Sequence, residues 1–293
     1  MEKISLHSLD VKEERMIFQN NELVPTTIYR LKDGSIFKMF NAEVLNFFRH
    51  LVPNFDIEAK VLSADEMKIP EIIIPTKAAY TNGLFTGYVM PAAKGITFTE
   101  HDENKTLPER VDLLQYAKEH NELEQIVKRS NNQGIVFPDL CTCENIFIHQ
   151  DGFSLIDYDG LQIGDHATYS FSTSLGEQDQ YDTPKYMNEG LYTPNLDKKS
   201  LITLYFSTAF NVNLLAIGKT DPYTGKKITL ETIANIICLD DSDFLHKVWQ
   251  SLQPTGENEY LEYDVFRIAD KYNVQISREP VSPNCYLKRL IKK

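Results

Sequence analysis

A chain of 293 residues is long for one domain and short for two large ones, and its 42% hydrophobic content, with 16 Phe and 15 Tyr, supplies a sizeable core and excludes bulk disorder. A formal net charge of −12 repels a phosphate backbone and argues against direct nucleic-acid binding, while a nucleotide needs only a few local cations. The longest apolar runs, such as Ile72-Ile73-Ile74 between prolines, fall far short of a membrane span, and residues 1–20 carry charge throughout, so a soluble, cytoplasmic protein is expected.

Along the chain, residues 27–31 and 35–40 form short β-type runs around the turn signal Lys32-Asp33-Gly34. Residues 42–51 have helical spacing, and residues 57–66 predict a further helix with Ile57 and Val61 on one face. Residues 71–74 and 84–90 read as strands, with Thr81-Asn82-Gly83 as a turn between them. A linker follows at residues 91–95, then helices over 107–120 and 122–131. Residues 145–149 and 153–157 predict a hairpin around Gln150-Asp151-Gly152. Residues 160–196 are irregular, and 197–212 form a strongly apolar helix. The order is a strand-rich first third (residues 1–91), then a helix-rich remainder (92–293) with one embedded hairpin. Cys141, Cys143, Cys238 and Cys285 match no common zinc spacing and no disulfide framework, so free thiols are expected. The basic cluster Lys288, Arg289, Lys292 and Lys293 reads as a solvated tail.

The stretch most informative for chemistry runs Gly134-Ile-Val-Phe-Pro-Asp139-Leu-Cys-Thr-Cys-Glu-Asn145 and continues through the hairpin to Asp157-Tyr-Asp159-Gly160. Taken alone, Asp139 is a loop aspartate of the kind that caps turns. In this order, with these elements between, the segment resembles the catalytic loop and metal-binding strand end of the protein-kinase-like superfamily. The resemblance implies an α+β, two-lobed fold: a small antiparallel sheet with a helix, then a larger helical part. It also implies an ATP- and magnesium-dependent phosphotransferase. Such chemistry is mostly positioning and charge neutralisation. One carboxylate orients the attacking hydroxyl, while hard oxygen ligands hold the metal.

By that resemblance Asp139 is the catalytic base, and Asn145 and Asp157 are the metal ligands, with Asp159 a further candidate. Lys38, in Ser35-Ile-Phe-Lys38-Met-Phe40, shares a strand face with Ile36 and Phe40, where a lysine is costly unless paired. It is the expected partner of the nucleotide phosphates and of a helix glutamate, best placed at Glu58, with Glu43 and Glu66 as alternatives. Tyr88-Val-Met90-Pro91 resembles the segment that contacts adenine through main-chain groups, so Tyr88 and Met90 are cofactor-binding candidates. Thr183-Pro184-Lys185-Tyr186-Met187 resembles the end of an activation segment. Asp197, near the start of the long apolar helix, is expected to brace the backbone of the catalytic loop.

The chain departs from the family pattern in four places. No glycine lies in residues 21–30, so the Gly-rich phosphate loop is missing, with the hydroxyls of Thr26 and Thr27 as possible substitutes. Phe137-Pro138 stands where His-Arg is usual, Asp139 and Asn145 are six positions apart rather than five, and Asp157-Tyr-Asp159-Gly160 replaces Asp-Phe-Gly. Two functions therefore compete: an active kinase whose acceptor is a protein or small-molecule hydroxyl, and an inactive relative (a pseudokinase) that binds a nucleotide or a partner.

Overall fold

The computed structural model describes residues 1–9, 11–13, 26–52, 54–98, 113–140, 144–168, 186–210, 212–221, 224–254 and 259–272. The protein is a mixed α+β chain, sheet-rich towards the N-terminus and helical later. The segments 21–25, 107–112, 141–143 and 183–185, Cys285 and the basic cluster at 288–293 lie outside the described residues. Packing divides the chain into two compact units: residues 1–96 with 133–135 and 145–170, and residues 97–132 with 136–144 and 171–293. The sequence-based division after residue 91 assigned the hairpin to the second part, whereas it packs within the first unit. A bridge between Ile72 and Leu155 ties it there, with Ile73 N–H donating to the Leu155 carbonyl at 2.8 Å and Leu155 N–H to that of Glu71 at 2.7 Å.

The first unit is built on a six-stranded sheet. Its strands are β1 (Glu2–Ser5), β2 (Val11–Glu13), β3 (Thr26–Leu31), β4 (Ile36–Phe40), β5 (Lys77–Thr81) and β6 (Leu84–Met90), in the spatial order β1-β5-β6-β4-β3-β2. All neighbours are antiparallel except β1 and β5. Asn82 and Gly83 both have positive φ in the two-residue turn between β5 and β6, which suits the twist of a tight hairpin. The run at 71–74 makes one bridge instead of the expected strand, because prolines at 70 and 75 remove ladder donors at both ends. Leu31, Phe37, Ala79 and Val89 form the core on one face of the sheet, with Ile4, Leu6 and Leu9 packed on them. Period-2 alternation therefore turns Lys38 and its cross-strand neighbour Tyr88 to the opposite face.

Helix α1 spans Ala42–Leu51 and α2 spans Ile57–Leu62, the latter capped by Asp56 accepting from Ala59 N–H at 3.0 Å. The predicted helix over 57–66 stops at Leu62 and gives way to a 3-10 turn at Ala64–Glu66. The hairpin strands are β7 (Ile146–His149) and β8 (Gly152–Leu155), with His149 opposite Gly152 and Ile146 opposite Leu155.

The second unit packs around α3 (Leu113–Asn131), one helix where two were expected, and α4 (Asn195–Phe210). A short hairpin, β9 (Met187–Asn188) and β10 (Leu191–Tyr192), precedes α4, and α5 (Leu230–Ile236), α6 (Ser242–Ser251) and α7 (Glu262–Lys271) follow it. Helix α4 is buried on almost every side, as a helix without a polar face must be. Phe206 stacks on Phe244 of α6, with centroids 6.0 Å apart. Buried His120 of α3 touches the rings of Tyr205 and Phe266, and Tyr205 donates to Glu124 at 3.0 Å.

Candidate functional site

Within the first unit the chain assembles a buried cluster of charges. Strand β4 places Lys38, its central residue, on the face away from the apolar core, and its side chain is only 6% exposed. Burying an ammonium is affordable only with compensation. Lys38 Nζ donates to Asp157 Oδ1 and, at 2.6 Å, to Asp159 Oδ1. The hydroxyl of Tyr88, opposite Lys38 on β6, donates to the same Asp159 oxygen. Burial alone would pull the Lys38 ammonium down, but the two carboxylates outweigh it and hold it above the ordinary lysine value. Burial, reinforced by both aspartates, pushes the Tyr88 hydroxyl well above its usual range, so it stays a donor.

The carboxylates arrive on a sharp turn at the end of the hairpin. Ile156 N–H donates to the Asn145 carbonyl at 3.0 Å, which extends the β7–β8 ladder by one rung and sets Asn145 beside the approach to Asp157. Asp157 then takes a left-handed conformation (φ 68°, ψ 47°), a region that an aspartate tolerates better than most side chains. A 3-10 turn at Tyr158–Gly160 follows, and Asp159 is fully buried within it. Asp157 differs: its side chain is 24% exposed, and among the described residues its carboxylate is engaged only through Oδ1. Burial pushes the Asp157 carboxyl up, with Lys38 the chief opposing influence.

A second lysine enters from α2. Lys60 is fully buried, and its Nζ donates to the carbonyls of Asp159 and Leu161, both at 2.7 Å. Burial pulls its ammonium down to about 8, and Asp159 and Asp157 only partly offset this. The sequence reading overlooked Lys60, although Ile57, Lys60 and Val61 fall on one helix face at i, i+3 and i+4.

Other expected residues take different places. Glu58 accepts the Tyr80 hydroxyl at 2.8 Å, so the anticipated Lys38–Glu58 pair is replaced by Lys38 with the two aspartates. Glu43 and Glu66, the alternatives, are exposed. Tyr88 was expected to act through its main chain. Strand β6 lies between β4 and β5, with Tyr88 opposite both Lys38 and Ala78, so the ladder encloses its main-chain groups and its hydroxyl joins the cluster instead. Met90, also buried, is the last laddered residue of β6.

In the second unit, Asp197 sits at the first turn of α4 with no solvent exposure. Its Oδ1 accepts the Phe137 N–H at 2.9 Å and its Oδ2 the Asn131 amide at 2.6 Å. Burial pushes its carboxyl up to about 7 against the pull of those two donors. Asp197 thus holds the backbone two residues ahead of Asp139, which is half-buried between buried Pro138 and Leu140. Tyr186 and Met187 join the cluster around Val136 and Leu196.

The first unit can therefore present a carboxylate oxygen, a neighbouring asparagine and a neutralising lysine to a ligand. Among the described residues no group of three or more His, Cys, Asp or Glu side chains is arranged to hold a metal ion, and no helix is long and apolar enough to cross a membrane. No protein-family model and no curated protein in the comparisons matches the chain.

Proposed function

We propose that the chain is an ATP-dependent phosphotransferase with a bilobal, protein-kinase-like fold, transferring the γ-phosphate to a hydroxyl of a protein or small molecule. The observation that carries the reading is the junction of Lys38, Asp157 and Asn145: a buried ammonium on a carboxylate whose second oxygen is unengaged among the described residues, beside an asparagine on the next rung. That donor set suits magnesium, a hard cation that takes one or two protein oxygens and completes its shell with phosphate and water. Asp157 and Asn145 would hold it, and bound there magnesium neutralises phosphate charge. Lys38 already neutralises carboxylates and has the reach and charge to exchange onto phosphate oxygens. Asp139 orients the acceptor hydroxyl and takes its proton. Asp197 fixes the backbone before it, so the base is positioned before the acceptor arrives. Main-chain contacts to adenine fall to Met90 and the residues beyond it, where the ladder ends.

The experiment is ADP release and phosphate incorporation from ATP and magnesium, in wild type and Asp139→Asn. Loss of a positioned base lowers the rate about 100- to 10,000-fold. An equal rate in both proteins would overturn the assignment. A second reading, a nucleotide-binding module without turnover, is favoured by one observation: Lys38 is held by two aspartates while Glu58 is occupied with Tyr80. ATP binding with no ADP release would select it.

A further inference from the structure

We propose that Lys60 is a positioning residue for Asp157, a helix-borne ammonium that holds the metal-binding turn by its carbonyl groups. This rests on the reading of Asp157 as a metal ligand. The turn from 157 to 161 makes a sharp reversal with residues 158–161 all buried, so each carbonyl needs a partner. Gly160 N–H satisfies the Asp157 carbonyl at 2.8 Å and Leu161 N–H that of Tyr158 at 3.2 Å. Thr168 Oγ1 donates to Gly160 at 2.9 Å. The carbonyls of Asp159 and Leu161 take Lys60 Nζ. In return the Tyr158 hydroxyl donates to the Lys60 carbonyl at 2.9 Å. Three bonds thus clamp one turn of α2 onto the segment that sets the left-handed backbone of Asp157.

Lys60 touches neither carboxylate, and its Nζ spans two carbonyls two residues apart, a contact that a methionine of similar length, which has no donor, cannot make. Its effect on a cation at Asp157 has a sign that separates the two ways it could act. As a mere nearby charge, Lys60 repels the cation, and removing it would tighten binding. As a clamp, it fixes the ligand geometry, and removing it weakens binding.

The test is a magnesium titration of the thermal midpoint at saturating ATP, on wild type, Lys60→Met and Val61→Ala. Val61 is fully buried on the same helix face and serves as the control for simple loss of packing. Loss of a residue that orients a ligand typically weakens metal binding 10- to 100-fold, so Lys60→Met should need at least about ten times more magnesium for its half-maximal shift. Val61→Ala should melt earlier yet keep the wild-type magnesium requirement. An unchanged or lower requirement in Lys60→Met, or an equal rise in Val61→Ala, overturns the proposal. Should Lys60→Met not fold, Tyr158→Phe decides: a raised requirement supports the clamp and a wild-type one refutes it. A wild type with no magnesium response refutes the metal-ligand reading itself, and the proposal falls with it.

Discussion

Replacing Lys38 by Met should expose how strongly the first unit depends on one ammonium. The substitution keeps the length of the side chain and removes its charge, which leaves Asp159, fully buried, and Asp157, 24% exposed, without their shared cation. Tyr88 still donates to Asp159, and Lys60 still touches the Asp159 carbonyl, so the loss is that of one partner in a buried ionic group. Such losses cost about 3–5 kcal/mol, or roughly 5–8 °C in midpoint for a chain of this size. The pH dependence has a definite sign. Lys38 is held above its ordinary value, so its contribution in the wild type is fully present below about pH 10 and does not vary between pH 5 and 8. In the variant the Asp157 carboxyl, already raised by burial, loses the cation that chiefly opposes the rise. The unfolded state ionises first, so the deficit is largest near pH 8 and shrinks as that carboxyl takes up its proton on the way to pH 5. Denaturant unfolding at both pH values, with Lys38→Met and the double variant Lys38→Met/Asp159→Asn, measures this. The double variant should regain at least half of the loss, because removing both partners leaves less uncompensated charge. A variant as stable as wild type, or a deficit independent of pH and untouched by the second substitution, would refute the reasoning.

Two further outcomes follow from single residues. Asp197 has a folded carboxyl raised from 3.8 to about 7, so the stability it contributes is fully present below the lower value and is lost as pH rises through the upper one. Asp197→Asn should flatten that part of the stability–pH curve relative to wild type, and an unaltered slope between pH 4 and 7 would contradict the burial argument. A Cβ on Gly87 would lie 2.2 Å from the Lys38 carbonyl, a main-chain atom that cannot swing aside. Gly87→Ala should therefore cost about 1–3 kcal/mol or more by thermal melting.

The periodic parts of the molecule were legible in the sequence. The alternation around Lys38 leads directly to β4, and the Asn82-Gly83 turn with the run at 84–90 leads to β6, because period-2 burial and a positive-φ pair leave few other solutions. The apolar character of 197–212 likewise marks α4 as a buried helix. What sequence could not show is which groups share a charge. Glu58 was a reasonable partner for Lys38, but α2 presents Lys60 inward and leaves Glu58 to Tyr80. One residue along a helix turns a side chain by about 100°, so the choice of inward residue depends on tertiary packing. Strands β1 and β5 were missed because a charged N-terminal segment and Lys77-Ala-Ala-Tyr-Thr carry little apolar alternation, and both are specified by pairing with each other and with β6. Asp159 read equally as a further metal ligand and as a turn residue before a glycine; its burial follows from Lys38 and Tyr88 converging from the sheet, a non-local fact.

The most direct test of the account is the thermal midpoint with and without ATP and magnesium, for wild type and Asp157→Ala. A ligand that binds only the native state stabilises it by mass action, by about 2.7 kcal/mol at a hundredfold excess over Kd, and so raises the midpoint. The account predicts a shift in wild type that requires magnesium together with ATP, and no such shift in Asp157→Ala, whose open carboxylate oxygen is gone. A wild type that ATP and magnesium leave unmoved, or an Asp157→Ala variant that shifts as far as wild type, would contradict it.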